Sequence, residues 1–275
     1  MPELPETETI ARDLDRAVSG AMIVDVTVRH ADVLRNITAR GLRTRVAGTT
    51  ITHSWRRAKL VVLDLSSGDR LVVQPRFTGA LLVDDGALAE RERRYAAVTF
   101  ALDDGRALHY RDIRRLGTVA LMDPVSFDAY TGTLGVEPLD PAFTAAHLAS
   151  LLGRSRRPVK TVLMDQRRLA GVGNIYANEA LWRSGIDPSR EARAVGLLPT
   201  THLRDALVAV LGESIAARGT SFRDYRDASG GRGAFAEQLD VYGRAGQACR
   251  RCGRRLIGTH AIDGRSTVFC AGCQR

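Results

Sequence analysis

Lysine is almost absent from this chain. Of its 40 basic residues 38 are arginine, and Lys59 and Lys160 are the two exceptions. Arginine keeps its proton at neutral pH, whereas a lysine can release one. Those two positions are therefore candidates for a role that arginine does not fill; a compositional bias that left two lysines by chance is the plainer alternative. No apolar run approaches the roughly 20 residues that cross a bilayer, so a membrane-spanning helix is not expected. The start, Met1-Pro2-Glu3-Leu4-Pro5-Glu6, is acidic and lacks the apolar stretch of a secretory signal, which points to a cytoplasmic protein. No internal repeat or low-complexity tract occurs. Cysteine is limited to four residues, all in the last 27 positions.

What is present describes a globular chain. It has 275 residues, 44% hydrophobic and 26% charged, which excludes global disorder and collagen-like repetition. A net charge of +9 fits a polyanionic partner without requiring one. Ile10, Leu14, Ala17 and Val18 recur at helical spacing and predict a helix over 7–18. From residue 22 to about 122 the period is two. Ser66-Ser67-Gly68-Asp69 and Asp103-Asp104-Gly105-Arg106 each join two alternating apolar runs as hairpin turns. Beyond 125 the pattern is helical, with helices expected over 143–152, 159–164, 175–184 and 202–217. Residues 219–238 carry four glycines and read as a long loop. The expected architecture is α+β: a β-sandwich or barrel with an N-terminal helix (1–125), a helical region with the Gly-rich loop (126–240), and a cysteine-bearing tail (241–275).

Cys249-x2-Cys252 and Cys270-x2-Cys273 stand 17 residues apart, the paired-knuckle spacing of a four-thiolate zinc site. One structural Zn2+ per chain would staple a segment too short to have its own core; unligated thiols or two redox pairs are the alternative. Residues 249–275 carry six arginines against one aspartate, so the stapled hairpin should face phosphates.

Pro2 and Glu3 gain meaning from four further motifs that occur in a fixed order along the chain. These are Arg57-Ala58-Lys59, the stretch Asp165–Trp182 (DQRRLAGVGNIYANEALW), Val241-Tyr242-Gly243-Arg244, and the Gly264-Arg265-Ser266-Thr267 tail that ends in Cys270-x2-Cys273-Gln274. Over essentially its whole length the chain resembles bacterial formamidopyrimidine-DNA glycosylase, which removes oxidised purines such as 8-oxoguanine from DNA. The resemblance implies a bifunctional DNA glycosylase and abasic-site lyase, acting as a monomer on damaged double-stranded DNA in the bacterial cytoplasm. It also implies a helix–two-turns–helix and a zinc-finger β-hairpin.

The chemistry fits the residue types. Removal of Met1 exposes the secondary amine of Pro2, and an α-amino group with a pKa of about 8 is partly neutral at pH 7. The resemblance makes Glu3 the acid that helps open the sugar ring, and Glu6 a supporting acid or simply a helix N-terminal carboxylate. Lys59 contacts lesion and phosphate. By the same resemblance Lys160, the family's second lysine, is a DNA-binding residue, with solvent-facing side chains as the alternative for the two lysines. Asn174, closing Gly171-Val172-Gly173-Asn174, holds a phosphate, and Arg265 grips the flanking phosphates and serves elimination. The family fills the gap left by the flipped base with a Met, an Arg and a Phe. Aligning on Gly79 and Gly117 puts Phe77, Arg114 and Leu116 there, two of them departures, with plain core residues as the alternative for Phe77 and Leu116. Gln74 also replaces a usual His, and Arg94-Tyr95-Ala96-Ala97 replaces a His-rich segment. These departures bear on lesion range and opposite-base preference rather than on the chemistry. The loop 219–238, with Arg223 and Tyr225, resembles the segment that caps 8-oxoguanine and is missing in the endonuclease VIII branch. An enzyme preferring oxidised pyrimidines or hydantoins, or a non-catalytic damaged-DNA-binding protein, are the alternatives.

Overall fold

The computed structural model describes residues 2–221 and 225–275. Arg223 lies outside the described residues. The chain divides into two compact units, one of residues 1–132 with 217–236, the other of 133–216 with 237–275.

The first unit opens with α1 (Leu4–Val18) and continues through β1 (Ile23–Val28), β2 (Leu34–Arg35), α2 (Ala39–Val46), β3 (Ile51–Arg57) and β4 (Leu60–Leu65). It goes on with β5 (Arg70–Gln74), β6 (Gly79–Asp84), α3 (Glu90–Arg94), β7 (Ala96–Leu102), β8 (Ala107–Asp112), β9 (Thr118–Met122) and α4 (Pro124–Thr131). Helix α1 begins three residues earlier than its periodicity suggests. A proline is no obstacle in the first turn, where its missing N–H has no partner to lose, so Pro5 lies inside the helix. Ile10, Leu14 and Val18 then face the core.

Two sheets form the sandwich, in strand orders β1-β7-β8-β6 and β2-β9-β5-β4-β3, with only the short β2–β9 pair parallel. Both expected hairpins are present, as β4–β5 and β7–β8. Alternate residues of each sheet build the shared core, among them Val61, Leu63, Leu71 and Val73 on one side and Leu81, Val98, Phe100 and Leu108 on the other. Strand β4 is apolar on both faces because its other side, Leu60 and Val62, packs under Phe127 of α4. Helix α2 interrupts the stretch expected to be all strand. Thr38 caps it, accepting the Gly41 N–H at 3.1 Å, and Leu42 and Val46 turn inward one helical turn apart.

In the second unit α5 (Ala145–Gly153), α6 (Val159–Leu163), α7 (Asn174–Arg183) and α8 (Leu197–Ala216) precede the small hairpin of β10 (Ile257–Thr259) and β11 (Thr267–Phe269). Helix α8 starts five residues before the expected 202, with Pro199 again tolerated in the first turn. Among the described residues no helix is long and apolar enough to cross a membrane.

The Gly-rich segment, expected in the helical region, belongs instead to the first unit. Its base closes on itself through Ala234 N–H to the Ala217 carbonyl (2.9 Å) and Phe235 N–H to the Gly219 carbonyl (3.1 Å). Tyr225 and Ala228 complete the sandwich core from this segment.

Gly117 closes the β8–β9 connection at a point with no room for a side chain. A Cβ there would strike the Tyr110 hydroxyl and come within 2.6 Å of the Gln74 carbonyl oxygen and 2.8 Å of that of Pro75. Two of those three atoms are backbone and cannot swing aside. Gly117→Ala should therefore destabilise the protein by about 2 kcal/mol or more, read as a lowered urea midpoint at unchanged slope.

Candidate active site

Pro2 and Glu3 are buried at the head of α1, Glu3 only 1% exposed. Glu6 accepts the Glu3 backbone N–H at 2.8 Å with one carboxylate oxygen, as in a capping box, and the Thr220 N–H at 2.8 Å with the other. It is thus both a helix cap and a link from α1 to the Gly-rich segment. Tyr225, expected on the surface that caps a lesion, is 4% exposed, with its hydroxyl 3.5 Å from the Glu6 carbonyl oxygen. Burial, reinforced by the nearby Glu6 charge, raises the pKa of this phenol.

Lys59 follows Ala58 in the β3–β4 turn, where Ala58 takes a left-handed φ of +53°. The Ala58 carbonyl is held by the Thr7 hydroxyl (3.3 Å) and by Arg56 Nη1 (3.1 Å), while Arg56 Nε donates to Glu8 at 2.7 Å. Burial alone would raise the Glu8 pKa, but Arg56 and Arg12 override it and hold the carboxyl below its usual value. The Thr7 hydroxyl also lies 2.8 Å from the Glu3 carbonyl oxygen. One hydroxyl therefore touches the residue after Pro2 and the residue before Lys59, which puts amine, acid and lysine in one neighbourhood.

Phe77 (48% exposed), Arg114 and Leu116 (46%) stand out from two adjacent turns, β5–β6 and β8–β9. They are not core residues. Buried Asp112 organises both turns: it accepts from the Thr78 hydroxyl, the Tyr110 hydroxyl (3.0 Å) and the N–H of Gly117 (2.8 Å). The Arg114 N–H completes the cluster, donating to the Thr78 oxygen at 3.0 Å. Gln74, at the end of β5, accepts from Arg76 Nε at 3.2 Å. In the altered His-rich segment Tyr95 is exposed, and Ala96 and Ala97 are buried at the start of β7.

In the second unit Gln166 staples the turn between α6 and α7, bonding the Gly171 N–H (2.9 Å) and the carbonyls of Met164 (2.9 Å) and Val172 (2.8 Å). Lys160, expected among the DNA-binding residues, does not lie on the surface as a DNA contact would. Its side chain is fully buried, and its ammonium reaches Thr267 Oγ1 at 2.7 Å and Asp263 at 3.3 Å. The buried charge is compensated by that carboxylate. Asn174 donates to the Ser266 carbonyl at 2.9 Å. Both residues thus hold the turn that presents exposed Arg265, whose N–H bonds Asp263 at 3.0 Å.

The four cysteine sulfurs all lie within 4.8 Å of one another, with 3.4 Å between Cys252 and Cys270 and 3.9 Å between Cys249 and Cys273. A tetrahedron of sulfurs with 2.3 Å bonds to a central ion has edges of about 3.8 Å, so the set fits a metal ion. Burial opposes ionisation of Cys249, but the N–H groups of Arg251 and Cys252 win and bring its thiol down to about 6. Burial and the neighbouring thiols push Cys273 up to about 12. Four thiols this close cannot all ionise without a cation among them.

The formamidopyrimidine-DNA glycosylase N-terminal domain matches residues 1–119, and the family's H2TH domain matches residues 134–226. The chain belongs to the formamidopyrimidine-DNA glycosylase family. It is 44% identical to the formamidopyrimidine-DNA glycosylase of Moorella thermoacetica over 93% of both chains. With that of Xanthomonas campestris pv. campestris it shares 42% over the whole of both. The MutM (Fpg) protein of Thermus thermophilus superposes with a TM-score of 0.87 at 34% identity, over 99% of this chain and 98% of that one. Lactococcus lactis Fpg, solved in complex with DNA containing an abasic site, superposes at 0.91 with 28% identity over 99% of both. As a member of this family the chain is a DNA glycosylase with an α+β fold.

Several positioning residues of this glycosylase lie outside the sequence expectations: Asp112, Gln166, Asn178 and Glu179. Glu179 is fully buried and accepts the N–H groups of Asp240 (2.8 Å), Val241 (2.9 Å) and Tyr242 (2.8 Å); burial outweighs those donors and raises its pKa. Asn178 accepts the Val268 N–H at 2.8 Å. Both fall inside the NEALW stretch, where an acid and an amide on an otherwise apolar helix were the available signal.

The full-length protein should carry one divalent metal per chain. Cys270→Ala should lose it, as read by metal analysis of desalted protein, and stoichiometric metal in that variant would rule out the cysteine cluster as its site.

Proposed function

We propose that this glycosylase excises oxidised purines, 8-oxoguanine and formamidopyrimidines, from double-stranded DNA and then cleaves the strand by β,δ-elimination. The neutral Pro2 amine attacks C1′ of the damaged nucleotide while Glu3 delivers a proton as the sugar ring opens, and the base departs. A secondary amine yields an iminium that cannot relax to a neutral imine. The cation withdraws electrons from C2′, so that a C2′ proton passes to the Glu3 carboxylate, left ionised by its earlier protonation of the ring oxygen, and the 3′ phosphate is expelled. Loss of a C4′ proton then expels the 5′ phosphate, with Arg265 serving this δ step. The observation that carries this reading is the shared hydroxyl of Thr7, 2.8 Å from the Glu3 carbonyl oxygen and 3.3 Å from that of Ala58, since it gathers Pro2, Glu3 and Lys59 around one helix end.

Phe77, Arg114 and Leu116 then fill the gap left by the flipped base, two apolar side chains and a cation projecting together. Arg265 grips the flanking phosphates, and Lys160 and Asn174 act by holding its turn. The ion held by Cys249, Cys252, Cys270 and Cys273 is Zn2+, and it keeps the β10–β11 hairpin folded. The domains follow: a catalytic sandwich, a helix–two-turns–helix region and a zinc finger. The altered gap-filling residues favour a second reading, in which oxidised pyrimidines or hydantoins are better substrates. Relative cleavage of 8-oxoguanine, formamidopyrimidine, hydantoin and thymine glycol duplexes tests it.

Retention of Met1, or Pro2→Gly, should sharply cut base excision and borohydride trapping while lesion-duplex affinity stays within about tenfold. Normal trapping by protein whose mass includes Met1 would remove Pro2 from the mechanism.

Lys59→Arg keeps the charge, so affinity should fall by less than about tenfold. A bulkier, permanently protonated guanidinium cannot exchange a proton beside the base, so 8-oxoguanine excision should drop more than ~30-fold, about 2 kcal/mol. Cleavage at a preformed abasic site should suffer less. Wild-type excision by this variant would reduce Lys59 to a phosphate contact.

A further inference from the structure

Arg218 occupies a position that a glycine would fill more easily. Its φ is +62°, beside Gly219 at +84°, and the left-handed region disfavours any residue with a Cβ. Such an outlier persists when its surroundings hold it. Here the guanidinium does so. It bonds both carboxylate oxygens of Asp13 on α1, at 2.6 and 3.3 Å, and reaches Asp227 through Nη2 at 2.6 Å and Nε at 3.1 Å.

Asp227 is 3% exposed, and its other oxygen accepts the N–H of Gly231 (2.7 Å), the N–H of Ser229 (3.1 Å) and the Ser229 hydroxyl (2.8 Å). Burial works against its charge, but Arg218 and these donors keep the carboxyl below its ordinary value. One arginine therefore ties α1 to the outgoing and the returning limb of the Gly-rich segment. Asp13 stands two helical turns beyond Glu6, so both acids that hold this segment lie on one face of α1. Tyr225 and Ala228 pack into the sandwich core, while the turn at Ser229 and Gly230 stands over open space. A cavity of about 610 Å3 opens there, lined by Asp13, Arg218, Ala228, Ser229 and Gly230 among others.

We propose that Arg218 is a specificity-determining positioning residue: through Asp13 and Asp227 it holds the described limbs of the Gly-rich segment, residues 217–221 and 225–236, preorganised for a bulky damaged base, on the helix that follows directly after Pro2 and Glu3. This rests on the excision reading above. An abasic site presents no base to enclose, so the tether matters for purine release and not for strand cleavage.

The test compares Arg218→Ala, Arg218→Lys and, as an independent break of the same contact, Asp13→Asn. Each is assayed in single turnovers on an 8-oxoguanine duplex and on the same duplex with a preformed abasic site. Arg218→Ala and Asp13→Asn should slow 8-oxoguanine release at least ~10-fold while abasic-site cleavage stays within about twofold, and Arg218→Lys should recover most of the loss. Rates that fall together on both substrates, or on neither, would overturn the proposal. Should the unsubstituted protein cleave neither duplex, the glycosylase–lyase reading fails, and the tether's role falls with it.

Discussion

A carboxylate has two oxygens, and in Glu6 each accepts one backbone N–H from a different part of the first unit. The Glu3 N–H sets the conformation from which Pro2 projects, and the Thr220 N–H fixes where the Gly-rich segment begins. Both donors are buried, and a buried N–H without an acceptor costs about 1–3 kcal/mol. The helix head and the base of the segment are thereby coupled: neither can shift alone without leaving such a group unsatisfied. The Thr7 hydroxyl extends the same arrangement to the turn of Lys59. Three chain segments far apart in sequence meet at one helical turn.

Polar hubs recur wherever a functional side chain has to be displayed. Asp112 ties two turns together so that Phe77 and Leu116 stay in water instead of collapsing inward. Exposed apolar side chains on neighbouring turns are unfavourable in the free protein, and the gap-filling role proposed for them would give them a partner. Lys160 and Asn178 serve the Arg265 turn in the same way. The arginine bias suits such a scaffold, because a planar guanidinium donates along several directions at once, as Arg218 and Arg56 do, where an ammonium offers a compact point charge.

The helices and hairpins with strong periodicity are readable from the sequence, and so is the cysteine cluster, whose knuckle spacing marks the four sulfurs that the fold gathers. Helix α2 was not, since two inward residues, Leu42 and Val46, give too weak a period against a strand-like background. The starts of α1 and α8 were missed for a shared reason. Proline reads as a breaker in a linear pattern, yet both helices accommodate one in the first turn. The family resemblance assigns Tyr225 to lesion capping and Lys160 to DNA binding. Both are buried, and burial depends on contacts with residues far away in the chain.

What the sequence determined by itself is the inventory: a second-position proline beside an acid, two lysines among arginines, four cysteines at knuckle spacing, and alternation that calls for paired sheets, as a sandwich or a barrel. Those properties are local, written in residue type and short-range spacing. The tertiary structure alone decided which groups work together. It drew the Gly-rich segment into the first unit, joined Asp13 to Arg218 across some two hundred residues, and turned Lys160 from a surface cation into an internal strut. The physical reason is that hydrogen bonds and ion pairs of this kind need partners within about 3 Å, and proximity between distant positions arises only once the apolar core has folded the chain upon itself.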